Sequence, residues 1–358
     1  MCKVEEFYDF KNGLNKEKEF FGSGVPIVNF VDVFHNRGLT PEMLKGRVTL
    51  SKKEIKNFEV KQGDIFFTRT SETINEIGYP SVMLGVPTDT VFSGFVLRGR
   101  ARSVDPMDNL FKRYVFFTES FRNEMVKKSS MTTRALTSGT AIKEMYVQYP
   151  SSKDEQHKIG AFLAQIDDTI ALHQRKLDQL KELKKAYLQL MFASTNTKND
   201  KLPKLRFTGF KGYWELCKLK EIVDVRSGRD YKHLGSGNIP VYGTGGYMLS
   251  VSEALSYDED AIGIGRKGTI NNPYILKAPF WTVDTLFYAI PKNNFDLNFI
   301  YSIFRKINWK SKDESTGVPS LSKTTINAVT VYIPSGSEQQ RIGEFFKQID
   351  NTITLHQR

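Results

Sequence analysis

The sequence of 358 residues is poor in cysteine and has no long apolar segment. Its two cysteines, Cys2 and Cys217, lie far apart and show no metal-ligand spacing. This pattern favours a reducing compartment and argues against a disulfide or zinc framework. No apolar run approaches the ~18 residues of a membrane span, and charges in the first ten residues are atypical of a secretory leader. We therefore expect a cytoplasmic protein without a membrane segment.

Catalytic and cofactor motifs are missing or incomplete. Residues 263–268 (GIGRKG) have the dinucleotide-binding spacing, but 269–276 (TINNPYIL) are not typical of the helix that a pyrophosphate site needs. A tight turn after a strand is the preferred interpretation. Residues 271–274 (NNPY) resemble the Asn-Pro-Pro-Tyr loop of amino-methylating DNA methyltransferases, without its middle proline and without an upstream glycine-rich loop. We predict no catalytic residue, no bound cofactor and no metal in this chain.

One tripeptide has the spacing of a nuclease core. Residues 59–61 (EVK) have the Glu-x-Lys spacing of metal-dependent nucleases, but no well-placed aspartate precedes them on a strand. A solvated turn is the preferred interpretation. The five histidines are scattered and form no ligand pair.

The composition does favour a polyanionic partner. Lysine and arginine total 51 against 40 acidic residues, which gives a net charge of +11, and aromatic residues make up 12%. A basic, aromatic-rich chain of this kind points first to nucleic acid, although solubility alone also accounts for such a charge. With 40% hydrophobic residues, the chain is expected to form two or three domains.

One long helix is predicted over residues 155–191, and part of it occurs twice. Apolar residues recur there at alternating spacings of three and four, which indicates a heptad seam that a partner helix covers. Residues 338–358 are identical to residues 155–175 at 14 of 21 positions. Such a match is an internal repeat. His173 and His356 occupy equivalent seam positions, where a polar residue usually fixes helix register.

The remainder forms two loosely similar halves. Residues 1–150 contain strand-like runs such as 64–68, 90–97 and 145–149, with one helix predicted near 110–127. Residues 205–335 repeat the pattern, with runs at 215–219, 261–265 and 329–333 and a helix near 296–307. The first half is the longer one. The helices match closely and the globular halves loosely, which suggests common supports that carry two different recognition domains.

Several polar side chains are suited to reading DNA. Arginine, asparagine and glutamine bond base edges, while lysine and backbone N–H groups hold phosphates. A solvated surface role is the alternative for each. The DNA-binding candidates are Arg69 and Arg134 in the first half, and Tyr231, Thr244, Tyr247, Arg266, Lys267 and Thr316 in the second.

Three segments carry a family resemblance. Residues 150–160 (PSSKDEQHKIG) and 334–343 (PSGSEQQRIG) open the two helices, and 205–219 (LRFTGFKGYWELCKL) lead into the second half. With the two-fold repeat, they resemble the specificity subunit of type I restriction–modification systems. The chain departs from that pattern because it begins inside one repeat and ends inside the other.

The resemblance implies an α+β fold with two mixed, strand-rich target recognition domains joined by long antiparallel coiled-coil helices. Each domain would read one half of a bipartite DNA site, and the helices would set the spacer. Two modification subunits that bind S-adenosylmethionine and methylate adenine N6 would dock on the helices. Restriction subunits using ATP and magnesium would join them for cleavage in phage defence. The specificity chain itself would catalyse nothing.

The expected organisation follows. A helix of ~55 Å would span roughly 16 base pairs, enough to seat two domains in major grooves about one turn apart. The domains are residues 1–152 (recognition domain 1), 153–195 (long helix 1), 196–204 (linker), 205–336 (recognition domain 2) and 337–358 (helix 2, a truncated copy). Residues for helix pairing and subunit docking are Ile159, Leu163, Ile166, Ile170, His173, Leu177, Leu180, Ile342, Phe346, Ile349, Ile353 and His356.

The second helix is shorter than the first, so it is not expected to cover helix 1 along its whole length. Helix 1 beyond Arg175, including Leu177, Leu180, Leu183 and Tyr187, is expected to be incompletely covered, which predicts a homodimer or a modification-subunit contact there. The alternative functions are a stand-alone DNA methyltransferase or nuclease, and a scaffold whose domains bind protein.

Overall fold

The computed structural model describes residues 2–193, 201–292 and 294–357. The chain divides into two compact units, unit 1 (Met1–Ala171) and unit 2 (Leu172–Arg358). The predicted linker at 196–204 falls largely outside the described residues. Within the described ranges, every helix is too short or too polar to cross a lipid bilayer.

Unit 1 is built on a five-stranded sheet of order β2-β10-β6-β8-β4, flanked by smaller sheets of order β5-β3-β9 and β11-β12-β7 and by the pair β1-β13. Its strands are β1 (Cys2–Lys3), β2 (Tyr8–Asn12), β3 (Phe21–Val28), β4 (Gly38–Leu39), β5 (Arg47–Val48), β6 (Ile65–Thr68), β7 (Thr70–Ser71), β8 (Pro80–Met83), β9 (Val91–Phe92), β10 (Val96–Ala101), β11 (Ser130–Met131), β12 (Ala135–Leu136) and β13 (Tyr146–Val147). Its helices are α1 (Phe30–His35), α2 (Lys52–Asn57), α3 (Asn109–Val115), α4 (Glu119–Lys128) and α5 (Gly139–Lys143).

The central strand β6 is buried on both faces because the sheet carries an apolar cluster on each side. Phe67 packs edge-on against Phe116, with ring centroids 5.5 Å apart, in the cluster beneath the helices. Phe66 points to the opposite face and packs on Phe92. This arrangement follows from the two-residue period of a strand.

Two sequence expectations are corrected in unit 1. The single helix predicted at 110–127 is two helices, α3 and α4, because the backbone turns tightly after Val115, whose carbonyl accepts a hydrogen bond from Thr118 Oγ1 at 2.8 Å. The run 90–97 is likewise two strands, β9 and β10, separated by a turn at Gly94 and Phe95.

Helix α6 (Lys153–Leu190) is continuous across the division between the units. The other elements of unit 2 are α7 (Leu219–Ile222), α8 (Leu297–Lys306), α9 (Lys323–Ala328) and α10 (Gly336–Gln357), and strands β14 (Glu215–Lys218), β15 (Val223–Ser227), β16 (Ser236–Gly243), β17 (Gly246–Val251), β18 (Ala261–Gly265), β19 (Tyr274–Leu276), β20 (Trp281–Thr282), β21 (Leu286–Pro291) and β22 (Thr330–Ile333). The predicted helix near 296–307 is α8. The mixed helix and strand content confirms the α+β prediction.

The sheet topology of unit 2 repeats that of unit 1. The antiparallel order β15-β21-β18 corresponds to β2-β10-β6, and the parallel pair β16-β20 corresponds to β3-β9. The pair β14-β22 corresponds to β1-β13, which places Cys217 opposite Val331 as Cys2 lies opposite Val147. The duplication therefore includes the globular parts, where the sequences have diverged.

The residues shared by the two helix copies anchor each helix to its own globular part. Gln156 accepts from the backbone N–H of Asp108 at 2.7 Å and donates to the carbonyl oxygen of Pro150 at 2.7 Å. Gln339 accepts from the N–H of Asp296 at 3.3 Å and donates to the carbonyl oxygen of Pro334 at 2.9 Å. Both amides are buried, so these bonds fix the angle at which each helix leaves its domain.

A glycine shared by the two helix copies, Gly160 in α6 and Gly343 in α10, lies where each helix packs against its own globular part. A Cβ on Gly160 would lie 2.5 Å from the backbone nitrogen of Phe111, and one on Gly343 would lie 2.9 Å from that of Phe299. Only glycine permits so close an approach of helix α6 to α3, or of α10 to α8.

Within unit 2, the end of α6 pairs antiparallel with α10. The rings of His173 and His356 lie 5.7 Å apart, and those of Tyr187 and Phe345 lie 5.0 Å apart. Between these contacts the Lys184 ammonium binds the carboxylate of Asp350. Since residue numbers rise along α6 as they fall along α10, the helices run in opposite directions.

The structure corrects the predicted extent of this pairing. Leu177 is only 6% exposed and Tyr187 packs on Phe345, so helix 1 remains covered beyond Arg175 at these positions. Leu183 is exposed, as expected. Among the predicted seam residues, Ile342 and Phe346 lie in the apolar cluster that also contains Met191 and Phe192 at the end of α6, while Ile166 and Ile170 are exposed.

Candidate nucleic-acid interface

Arg69 follows strand β6 and is held at the start of a turn by its own backbone. Its N–H donates to the carbonyl oxygen of Phe95 at 2.9 Å, and its carbonyl oxygen accepts from the N–H of Thr137 at 3.1 Å. Its Nη1 lies 3.4 Å from the carbonyl oxygen of Gly94. The guanidinium is half-buried and retains N–H donors for a ligand.

Arg266 follows strand β18 in unit 2 and makes the same three contacts. Its N–H donates to the carbonyl oxygen of Thr285 at 2.8 Å, and its carbonyl oxygen accepts from the N–H of Leu321 at 2.9 Å. Its Nη1 lies 3.4 Å from the carbonyl oxygen of Asp284. The two arginines therefore occupy equivalent places in the duplicated fold, and each is presented by main-chain contacts rather than by an ion pair.

Each arginine lines a shallow cleft of its own unit. The first cleft is formed by Phe10, Lys11, Asn12, Arg69, Leu97, Ser138, Gly139, Thr140 and Lys143. The second cleft is formed by Ser227, Arg266, Lys267, Phe287, Ser320, Leu321, Ser322 and Lys323. Both contain several cations, hydroxyl groups and an apolar floor, and carboxylates are absent from both sets of lining residues.

Local charge in the first cleft is positive. Burial lowers the pKa of the Lys11 ammonium, and the charges of Arg98 and Arg100 lower it further. At the rim, Asp9 binds Arg102 at 2.9 Å and Lys143 at 3.0 Å. The hydrogen bond from Arg102, then that from Lys143, lowers the pKa of Asp9.

The second cleft is bordered by an ordered loop. Asp313 Oδ1 accepts from the backbone N–H groups of Ser320 at 2.9 Å and Ser315 at 3.0 Å. These bonds, that from Ser320 first, lower the pKa of Asp313. The same loop is joined to the turn after Arg266, because the N–H of Gly268 donates to the carbonyl oxygen of Pro319 at 2.8 Å.

The comparisons with known proteins agree with this duplicated arrangement. The family model described as "Type I restriction modification DNA specificity domain" matches residues 3–182 and 212–358. The chain belongs to this family.

Curated relatives share its family at low identity. The specificity subunit of the type I restriction enzyme MjaVIII from Methanocaldococcus jannaschii is 21% identical over 296 residues, 70% of this chain and 66% of that protein. The MjaIX specificity subunit from the same organism is 25% identical over 229 residues, 60% of this chain and 48% of that protein. The matched region therefore spans about half to two thirds of those relatives.

Solved structures share the fold. The S subunit of a type I restriction-modification system from M. genitalium gives a TM-score of 0.66 at 18% identity, covering 99% of this chain and 90% of that one. A chain from a structure of type I R-M complex assembly gives 0.51 at 13% identity, covering 98% and 91%.

In this specificity-domain chain, the predicted DNA-binding residues separate into two groups. Arg69, Arg266 and Lys267 line the clefts, and the exposed Thr316 lies in the loop beside the second cleft. Arg134 is exposed in the turn between β11 and β12, and β12 pairs with β7, which directly follows Arg69. Arg134 thus lies on the same small sheet without lining the first cleft.

The other candidates lie on the β16–β17 hairpin. Thr244 is in its turn, and Tyr247 is exposed next to it. Tyr231 instead packs against the apolar cluster around Trp281 and contributes to the core. None of the three lines the second cleft.

Sequence reasoning missed part of both clefts. The missed polar residues are Lys11, Asn12, Ser138, Thr140 and Lys143 in unit 1, and Ser227, Ser320, Ser322 and Lys323 in unit 2. A usable signal existed, because Asn12-Gly13 and Ser227-Gly228 are aligned in the repeat. A Cβ on either glycine would lie within 2.1 Å of a facing carbonyl oxygen, Ser93 for Gly13 and Val283 for Gly228.

The motifs that had suggested enzymes have structural roles. Residues 263–268 form a strand end and a turn at Gly268 (φ +85°) leading to the antiparallel strand β19, which confirms the predicted turn. Tyr274 donates to the carbonyl oxygen of Gly243 at 2.5 Å. Glu59 pairs with Lys61 at 3.3 Å, and the described residues contain no cluster of potential metal ligands.

If Lys267 neutralises a phosphate, Lys267→Ala should weaken binding to all DNA sequences alike. The slope of log affinity against log salt concentration should become shallower by about 0.9, because one fewer counterion is released. Titrations of labelled duplex at several salt concentrations measure this slope. Lys347→Ala on helix α10 is the matched control and should leave it unchanged. An unaltered slope for Lys267→Ala would remove this residue from the interface.

Proposed function

We propose that this chain is the DNA specificity subunit of a type I restriction–modification complex. The proposal is carried by one observation: two clefts of equivalent construction, each with a presented arginine, in the two copies of a specificity domain. Each cleft would read one half of a bipartite site, and helix α6, with its partner α10, would set the spacer. The chain would select DNA and leave the chemistry to other subunits.

The chemistry of the clefts suits this role. Arginine forms paired hydrogen bonds with guanine, serine and threonine hydroxyls bond bases or phosphates, and lysines attract the backbone. The dissimilar linings would give the two halves of the site different sequences.

The proposed partners are double-stranded DNA, two modification subunits and the restriction subunits. S-adenosylmethionine would be bound by the modification subunit, and ATP and magnesium by the restriction subunit, with no cofactor or metal in this chain. A homodimer is also proposed. On the surface predicted for it, Leu183 is exposed, whereas Leu177 and Tyr187 are covered.

Mapping of N6-methyladenine across the genome, with and without this gene, tests the proposal. Loss of one bipartite motif is expected, and its restoration on complementation would supply both half-sites and the spacer. An unchanged methylation pattern together with no DNA binding by the complex would overturn the proposal. Methyl transfer or cleavage by the purified chain alone would favour a stand-alone enzyme, and salt-insensitive protein binding without DNA binding would favour a scaffold.

A further inference from the structure

An arm of unit 2 covers the outer face of helix α10. The arm is residues 201–215, and it closes on itself because the N–H of Trp214 donates to the carbonyl oxygen of Lys201 at 3.1 Å. Arg206 braces the loop by donating to the carbonyl oxygen of Gly212 at 2.8 Å. The arm therefore forms a compact structure with Arg206 and Phe207 on the side that faces α10.

Three residues of α10 contact this arm. Arg206 binds Glu338 through two parallel hydrogen bonds of 2.6 and 2.7 Å, and Glu338 is only 1% exposed. The ring of Phe207 packs edge-on against Phe345 at 5.7 Å and lies 5.5 Å from the guanidinium of Arg341. Paired bonds of this kind give both strength and orientation.

Helix α6 carries the same three kinds of residue at the equivalent positions. Glu155 corresponds to Glu338, Lys158 to Arg341 and Phe162 to Phe345. We call these three residues the Glu155 face. The equivalent bonds of Gln156 and Gln339 fix both helices in the same way on their domains, so the Glu155 face points outward as its counterpart does.

Nothing among the described residues covers the Glu155 face as the arm covers its counterpart. Phe162 is 63% exposed, whereas Phe345 is half-buried between Tyr187 and Phe207. Glu155 is exposed, and the described residues offer its carboxylate no ion pair. The exposed apolar surface continues along the helix through Ile166 and Ile170, which line a shallow groove with Phe162.

We propose that the Glu155 face is a docking site for a polypeptide arm of this same chemistry, which the described residues of unit 1 do not supply. The docked arm presents an arginine to Glu155 and an aromatic ring to Phe162, as Arg206 and Phe207 do for α10. The occupant is identified by the covered copy of the site within this chain. This inference goes beyond DNA reading and does not depend on it.

A synthetic peptide with the sequence of residues 181–215 is the probe, because it contains the arm together with Tyr187. Calorimetric titration into the full-length chain should show saturable binding of one peptide per chain. Phe162→Asp and Glu155→Arg in the chain should each weaken binding about tenfold or more. The peptide variant Arg206→Glu should bind poorly to the unaltered chain and recover on the Glu155→Arg chain.

The matched control is Leu172→Asp. Leu172 is 59% exposed, and its counterpart Leu355 is 68% exposed on α10, so the covered copy predicts no contact there. This variant should bind the peptide like the unaltered chain.

Three outcomes would overturn the proposal. The first is no saturable binding at peptide concentrations up to about 1 mM, which corresponds to a negligible affinity. The second is binding that Phe162→Asp and Glu155→Arg leave unaltered, which would mean that the peptide displaces the chain's own arm. The third is self-association that Phe162→Asp abolishes without peptide binding, which would make a second copy the occupant. None of these measurements uses DNA, so the proposed function is tested separately.

Discussion

Arg69→Ala should relax sequence recognition in one half of the DNA site, and Arg266→Ala should relax it in the other half. Each arginine lies at the same place in its own cleft and is oriented by main-chain hydrogen bonds, so its removal leaves the fold of the unit in place. Loss of a paired contact to a base costs ~1–3 kcal/mol, about fivefold to 150-fold in affinity for the preferred base. The change should appear at one position of one half-site.

Selection from duplex libraries randomised in one half-site at a time measures this effect. The substitutions Arg69→Lys and Arg266→Lys serve as controls, because lysine retains the charge and loses the planar pair of donors. Specificity that survives in the lysine variants would identify phosphate contacts instead of base contacts. Uniform weakening at both half-sites by either alanine variant would contradict the assignment of one half-site to each unit.

Asp105→Ala should destabilise unit 1 by about 3–5 kcal/mol, because it leaves a buried charge without its partner. The Lys112 side chain is fully buried and its Nζ lies 2.6 Å from Asp105 Oδ2. Tyr8, also buried, donates its hydroxyl to Asp105 Oδ1 at 2.6 Å. Without the carboxylate, the hydrogen-bond partner that the described residues leave to the ammonium is the carbonyl oxygen of Gly63 at 2.6 Å.

The destabilisation should depend on pH. Burial lowers the pKa of Lys112, and Asp105 opposes that effect, so removal of Asp105 should lower the pKa further. When the pKa is lower in the folded state, the folded protein binds fewer protons, and stability rises with pH until the unfolded pKa of about 10.4 is reached. The loss in Asp105→Ala should therefore be largest near neutral pH and smaller at pH 9.5.

Denaturant unfolding at both pH values, relative to the unaltered chain, measures this loss. The control is Asp9→Ala, which removes an exposed partner of Arg102 and Lys143 and should change stability by less than about 1 kcal/mol. Adding Lys112→Met to Asp105→Ala should recover stability, because it removes the unpaired charge. Equal losses of unfolding free energy for Asp105→Ala and Asp9→Ala would show that the buried ion pair stabilises the protein no more than the exposed one.

The buried pair also shows where sequence reasoning reached its limit. Lys112 lies in a helix that the sequence predicted, but its position in that helix does not show that it is buried. Burial follows from the packing of α3 over the sheet, with Asp105 seven residues earlier in the chain and Gly63 far from both. A lysine is seldom buried without a partner, so the pattern by itself favoured an exposed side chain.

Hydrophobic periodicity and internal repeats can be read directly from the order of residues. The sequence alone therefore determined the long helix, its second copy and the two-fold organisation. The tight turn after β18 was equally local, because glycine spacing and a nearby proline restrict the backbone directly. The family match and the shared topology are consistent with these deductions.

Only the tertiary structure decided which residues meet. The first cleft unites β2, the turn after β6 and the start of α5, which together are spread over more than a hundred residues, through strand pairings that no local pattern specifies. Likewise, Glu155 and Glu338 are identical in their helices and differ only in what covers them. Exposure depends on which parts of the chain pack against a helix. For this reason Glu338 is buried beneath the arm in unit 2, whereas Glu155 is exposed in unit 1.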